Sequence, residues 1–119
     1  MKSENIIVER SFKFALQIVE IYKLLNAERE YVLSKQLLRS GTSIGANVAE
    51  ATAAISKRDF AAKMSIASKE ARETKYWLDF LAQGKLTEVD LSSASNEVSQ
   101  LINILTAIVK TAQQNLAAA

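Results

Sequence analysis

The chain of 119 residues contains no proline and only three glycines. Average proteins use about 5% proline and about 7% glycine, so most residues that end helices or form tight turns are missing here. A chain with so few turn residues favours a small number of long helices. Its length suits one domain with one hydrophobic core. The sequence therefore predicts a single all-α domain over residues 1–119.

Apolar residues recur at helical spacing in four segments, and each segment is predicted to be a helix. The predicted helices span about residues 5–27, 30–54, 57–83 and 88–115. Ser56 with Asp59, and Thr87 with Asp90, are pairs typical of a capped helix start. Gly84 follows the third segment, where a left-handed residue commonly ends a helix. Short connections between long helices predict an antiparallel, up-down-up-down four-helix bundle.

The first segment carries two apolar seams, although a core stripe needs only one. The first seam is Val8, Phe12, Ala15, Val19 and Tyr22. The second seam is Ile7, Phe14, Ile18, Ile21 and Leu25. The sequence does not say which seam faces the core.

The second segment has few charges, since only Arg39 and Glu50 are charged between Leu37 and Ala54. Small residues flank its core stripe on one side: Leu38, Thr42, Gly45, Ala46, Ala49 and Ala53. A mostly uncharged polar row flanks the other side: Gln36, Arg39, Ser43, Asn47 and Glu50. Every helix of a four-helix bundle keeps an outer face, so these flanks predict subunit contact. The alternative is a monomer that buries this helix at its centre.

Gly41 and Gly45 lie in the interior of the second segment, where each costs about 1 kcal/mol relative to alanine. Their presence indicates close approach of another helix. In the third segment Ile66, Glu70, Glu73 and Trp77 share a face outside the core stripe. One hypothesis pairs Glu70 or Glu73 with Arg39 or a lysine of a neighbouring subunit. In the alternative both glutamates are solvated at a rim, where an ion pair contributes about 0–1 kcal/mol.

Together these features predict a homo-oligomer whose subunit interface draws on the second and third segments. The candidate interface residues are Arg39, Gly45, Asn47, Ala49, Glu50, Glu70, Glu73 and Trp77.

Histidine and cysteine are both absent. This removes the commonest general base, the thiolate ligands and the usual Glu-x-x-His ligand pattern of metal-binding four-helix bundles. Glu50, Glu70 and Glu73 could together bind magnesium or calcium, which prefer oxygen ligands. The alternative is that these glutamates form ordinary ion pairs, which is the commoner role of such residues. We predict no catalytic residue, no metal site and no cofactor, and therefore a protein that is not an enzyme.

The 15 basic and 13 acidic residues give a net charge of +2, which is too balanced for an obligate nucleic-acid binder. Lys69, Arg72 and Lys75 nevertheless share an outer face of the third segment, where a few phosphates could bind weakly. Repetition of this face around an oligomer would raise the avidity. No apolar run approaches the roughly 20 residues of a membrane span, so neither insertion nor a membrane partner is predicted, and the expected location is the cytoplasm.

Two stretches carry a family resemblance: YVLSKQLLRSGTSIGANVAEATAA at 31–54 and SKRDFAAKMSIASKEARETKYWLDFL at 56–81. They resemble the four-helix-bundle proteins encoded in intervening sequences of bacterial 23S ribosomal RNA genes. The resemblance implies a homopentamer around a central opening, with no established enzymatic activity. The family's motif positions fall on Arg39, Ser43, Asn47, Glu50, Lys69, Glu70 and Glu73, and no catalytic role comes with them.

A related group is also similar, namely the pentameric accessory proteins of diversity-generating retroelements. These are markedly basic and associate with a reverse transcriptase and nucleic acid, whereas this chain is nearly neutral. The first functional hypothesis is therefore a homo-oligomeric structural or interaction protein of unestablished cellular role, with a possible protein partner. The second is an RNA- or DNA-associated protein, accessory to ribosomal RNA or to a reverse transcriptase, that uses the weak basic face.

Overall fold

The computed structural model describes the backbone of residues 2–118 and the side chains of residues 5–118. This part of the chain contains four α-helices and no strand, which confirms the all-α prediction. The helices are α1 (Lys2–Ala27), α2 (Leu33–Thr52), α3 (Lys57–Gln83) and α4 (Ser92–Ala118). They form a body of 51 × 22 × 22 Å.

The start of α3 lies where the sequence predicts it, because Ser56 caps the helix. Its hydroxyl oxygen accepts a hydrogen bond from the Asp59 backbone N–H at 3.0 Å, which satisfies one of the free donors of the first turn. The carboxylate of Asp59 accepts a longer bond of 3.4 Å from the Ile55 N–H. The predicted span of 57–83 is confirmed.

Helix α2 begins at Leu33, three residues later than predicted. Arg29 adopts a left-handed φ of 65°, and the Glu30 N–H donates to the Leu25 carbonyl at 2.9 Å. This is the Schellman end of α1, built without glycine. The Glu30 carboxylate then accepts the Ser34 N–H at 2.8 Å, so Glu30 precedes α2 and serves its first turn.

The turn between α3 and α4 corrects two predictions. Gly84 has a φ of −76°, whereas Lys85 takes the left-handed conformation at 53°, one residue further along. The predicted helix start near residue 88 is also wrong, because Asp90 accepts hydrogen bonds from the N–H (3.0 Å) and hydroxyl (2.7 Å) of Ser92. These bonds place the start of α4 at Ser92 rather than in the Thr87–Asp90 segment. The helix also continues to Ala118, past its predicted end at about residue 115.

One hydrophobic core runs through the molecule, and it selects one seam of α1. The buried seam is Ile7, Phe14, Ile18, Ile21 and Leu25. Facing it are buried residues of the other helices, including Leu37, Ile44, Val48, Met64, Leu78, Leu81, Val98, Leu101 and Leu105. The first seam of α1, which includes Val8 and Phe12, is left outside this core.

Each helix packs against two others among the described residues: α1 and α3 each contact both α2 and α4. The helices therefore surround the core in chain order. Gly41 and Gly45 lie at the α1–α2 contact, since a β-carbon on Gly41 would be 2.8 Å from Ile18. A β-carbon on Gly45 would be 3.2 Å from the Ser11 carbonyl oxygen. The close approach that these glycines permit is thus made within the chain.

Candidate functional site

A cluster of charged side chains spans the outer groove between α2 and α3. Arg39 on α2 donates to the Glu70 carboxylate at 3.1 Å and to the Glu73 carboxylate from its second terminal nitrogen. Trp77, one turn beyond Glu73, donates its indole N–H to the same Glu73 oxygen at 3.0 Å. We call Arg39, Glu70, Glu73 and Trp77 the Arg39 cluster.

Helical spacing assembles this cluster. Glu70, Glu73 and Trp77 are three and four residues apart, which places them on one side of α3. Thr74, on the buried side, donates to the Ser40 hydroxyl at 2.9 Å and fixes α3 against the turn of α2 that carries Arg39. Arg39 of the same chain contacts both carboxylates, so Glu70 and Glu73 already have a partner within the subunit. Pairing of either glutamate with Arg39 or a lysine of a neighbouring subunit stays a prediction.

Burial differs sharply across the Arg39 cluster. Glu70 is only 9% exposed, whereas about half of the Arg39 side chain remains in contact with solvent. A carboxylate so little exposed needs a charged partner, and Arg39 supplies one from the surface side. The cluster contains one guanidinium and two carboxylates, so its formal net charge is about −1.

The ion pair sets the protonation of Glu73. Its hydrogen bonds with Arg39 and, to a smaller extent, with the Trp77 indole lower the pKa of Glu73 below the ordinary value of 4.5. The positive charge of nearby Lys69 acts in the same direction. The bond to Glu73 in turn raises the pKa of Arg39.

Acid is expected to remove the contribution of Glu73 to folding. Because its pKa is lower in the folded chain than in the unfolded chain, this contribution is complete above about pH 4.5 and is lost as the pH falls through the folded value. Urea unfolding at several pH values should show Glu73→Gln less stable than the parent at pH 7, with the difference shrinking below pH 4.5. A difference that stayed constant down to pH 3 would contradict this assignment.

Two further residues in the polar row of α2 donate side-chain hydrogen bonds within their own helix. Ser43 donates to the Arg39 carbonyl at 2.6 Å, and the side chain of Asn47 donates to the Ser43 carbonyl at 2.8 Å. Glu50 is exposed and pairs with Lys63 of α3 at 3.1 Å. The row therefore continues the Arg39 cluster along the α2–α3 groove.

The other candidate interface residues lie on two sides of α2. Ala49 is exposed, and so are Ala46 and Ala53. Gly45 is half-buried against Ser11 of α1. A subunit interface through these residues stays a prediction.

The three basic residues of α3 do not form one open patch. Lys69 is exposed and lies near Glu73. Arg72 donates to the Thr106 hydroxyl of α4 at 3.1 Å, and Lys75 pairs with Asp79 at 2.8 Å. Two of the three cations are thus engaged within the chain.

The described residues hold no group of three or more histidine, cysteine, aspartate or glutamate side chains that could bind a metal ion. Within the same part of the chain, no helix is long and apolar enough to cross a membrane.

Two surface features were not predicted from the sequence. Arg10 of α1 forms a two-pronged ion pair with Glu97 of α4, at 2.7 and 3.0 Å, and also donates to Gln100. The pairing joins residues 87 positions apart, and no local spacing signals it. The second feature is an apolar cleft between the α2–α3 turn and α4, whose residues come from distant parts of the sequence.

Comparisons with known proteins agree on the family. A family model described as 23S rRNA-intervening sequence protein matches residues 3–107. A similar solved structure is that of a protein with unknown function from the S23 ribosomal protein family of Bacteroides thetaiotaomicron VPI-5482. It is 44% identical, the match covers 91% of this chain and 98% of that chain, and the TM-score is 0.85. Among curated proteins, none matches.

Proposed function

The chain belongs to the 23S rRNA-intervening sequence protein family, and on that basis we propose a non-enzymatic interaction protein that works in the cytoplasm as a ring-shaped homopentamer. Its four helices would form an antiparallel, up-down-up-down bundle. The contacts between α1 and α2 support this arrangement. Ser11 lies near Gly45, and Ile18 lies near Gly41. Residue numbers therefore rise along α1 in the direction in which they fall along α2.

The other helix pairs support the same arrangement. Arg39 of α2 pairs with Glu73 of α3, and Glu50 of α2 pairs with Lys63 of α3. Residue numbers thus rise along α2 in the direction in which they fall along α3. Between α1 and α4, Arg10 bonds to Glu97 and Gln17 bonds to Ser93. Both pairs fit neighbours that run in opposite directions.

An exposed apolar strip on α1 is the observation that carries the oligomer proposal. Phe12 is 65% exposed and Leu16 is 55% exposed, with Val8 beside them. We call Val8, Phe12 and Leu16 the α1 strip. A single exposed leucine needs no explanation, but a run of large apolar side chains along one helix is typical of a protein–protein contact.

A second apolar surface lies on α3. Tyr76 and Phe80 are exposed beside Trp77, with ring centroids 5.1–6.1 Å apart, and Ile66 is exposed about three turns before Trp77. A contact between two different surfaces repeats head to tail and closes into a ring when the rotation between subunits allows. We therefore place the α1 strip of one subunit against the α2–α3 side of the next subunit, which carries this second apolar surface. Five is the number of subunits that the family resemblance implies.

Phe12→Glu is expected to dissociate the oligomer without unfolding the subunit. The substitution places a charge in the middle of the proposed interface, while the exposed position 12 makes few contacts with the subunit's own core. Sedimentation velocity should show a large shift from oligomer to monomer, with unchanged helix content by circular dichroism.

Leu86→Glu is the matched control, because Leu86 is an exposed apolar residue of the α3–α4 turn and does not belong to the α1 strip. It should leave the sedimentation coefficient as in the parent. Equal dissociation by both substitutions, or by neither, would refute the assignment of the interface to the α1 strip.

The alternative function, association with RNA or DNA, draws its support from the exposed Lys69. It predicts binding that weakens steeply with salt. Changing Lys69, Arg72 and Lys75 together to glutamine should then lower both the affinity and the salt slope. Unaltered values would exclude this face as the binding surface.

A further inference from the structure

A cleft of about 790 Å³ opens where the α2–α3 turn meets the C-terminal half of α4. Its apolar wall includes Phe60, Ile104 and the buried Ile108. Ile55 stands at its edge with 95% of its surface exposed. Neither the Arg39 cluster nor the α1 strip contributes to the cleft, so its role is separate from the proposed subunit contact.

The polar lining of the cleft has one sign of charge. Lys57 is the one charged residue among the described residues that line it. The other polar lining residues are uncharged: Asn5, Thr52, Ser56, Thr111 and Asn115. Lys57 is also the first residue of α3, where the helix dipole favours a negative ligand.

We propose that this cleft binds a free medium-chain fatty acid. The volume lies within the roughly 300–1,000 Å³ that is typical of small-molecule sites. The apolar wall suits an acyl chain, since burial of each methylene is favourable. Lys57 and the neighbouring hydroxyl groups suit a carboxylate, which an ammonium group binds through charge-assisted hydrogen bonds.

Isothermal titration calorimetry with hexanoate, octanoate and decanoate, each below its micelle concentration, tests the acyl-chain site. Burial of two more methylenes should tighten binding about 15-fold at each step. Filling the cleft with Ala107→Trp should abolish binding, because Ala107 lines the cleft and its exposed position accepts a larger side chain. Ala62→Trp, at an exposed alanine of α3 outside the lining, is the control and should bind as the parent does.

The head-group assignment is tested with Lys57→Gln. This variant should bind decanoate up to about fivefold more weakly, as expected for an exposed ion pair, and bind 1-decanol as the parent does. Arg58→Gln removes the same charge one residue further along, outside the lining, and should change neither affinity.

Absence of decanoate binding, affinity that ignores chain length, or undiminished binding by Ala107→Trp would each overturn the proposal. Native mass spectrometry of Ala107→Trp distinguishes the fatty acid from a second copy of the chain as the occupant of the cleft. A loss of subunits in that variant, with no decanoate binding by the parent, would assign the cleft to a second copy of the chain and reject the fatty acid.

Discussion

Phe14→Ala is expected to cost about 3–5 kcal/mol of unfolding free energy, the range for removing a buried phenylalanine from a core. Phe14 is 1% exposed and belongs to the buried seam of α1. The substitution leaves a cavity that surrounding side chains fill only in part, so lost burial and lost packing add together. Urea unfolding followed by circular dichroism measures the effect.

Phe12→Ala is the matched control, because it makes the same chemical change two residues away on the exposed seam. Within the subunit it should cost less than about 1 kcal/mol, since most of its surface already contacts solvent. Any further loss should come from subunit contact and therefore disappear on dilution. Equal losses at the two positions in dilute protein would mean that the wrong seam of α1 has been assigned to the core.

Gly41→Val has the second largest expected effect. A β-carbon at position 41 would lie 2.8 Å from two carbons of Ile18, which is itself fully buried. Ile18 therefore cannot move aside without displacing α1. Overpacking of this kind typically costs about 1–3 kcal/mol, and a branched side chain at so close a contact belongs at the upper end.

Ala46→Val serves as the control for Gly41→Val. It introduces the same β-branched side chain on the same helix at an exposed position. In protein dilute enough to be monomeric, the expected loss is about 0.5 kcal/mol, which reflects helix propensity alone. Thermal unfolding of both variants gives the comparison, and a Gly41→Val variant as stable as Ala46→Val would refute the close α1–α2 contact.

The predictions that agree best with the structure depend on residues that are close together in the sequence. Helix α3 is bounded as predicted because its start depends on two neighbouring residues, Ser56 and Asp59. The start of α2 was misplaced because Arg29 adopts a left-handed conformation that its residue type rarely takes. The start of α4 was misplaced because the predicted pair of Thr87 and Asp90 does not cap the helix; Asp90 instead accepts hydrogen bonds from Ser92, where α4 begins.

Contacts distant in sequence were harder to infer. The polar residues of α2 and α3 stood out by composition, but spacing alone could not say whether Arg39 meets Glu70 in its own chain or in another. Within one chain α2 and α3 are adjacent, which places the two residues 3.1 Å apart. Similarly, two seams of nearly equal hydrophobicity on α1 left the core-facing side open until the other helices were in place.

Native mass spectrometry of protein purified at low salt without nuclease would show whether this chain assembles as the homo-oligomer proposed above. We expect one dominant species at five times the 13.1 kDa mass of the chain. A single species at 13.1 kDa under the same conditions would contradict it, and would leave the α1 strip without the partner proposed for it.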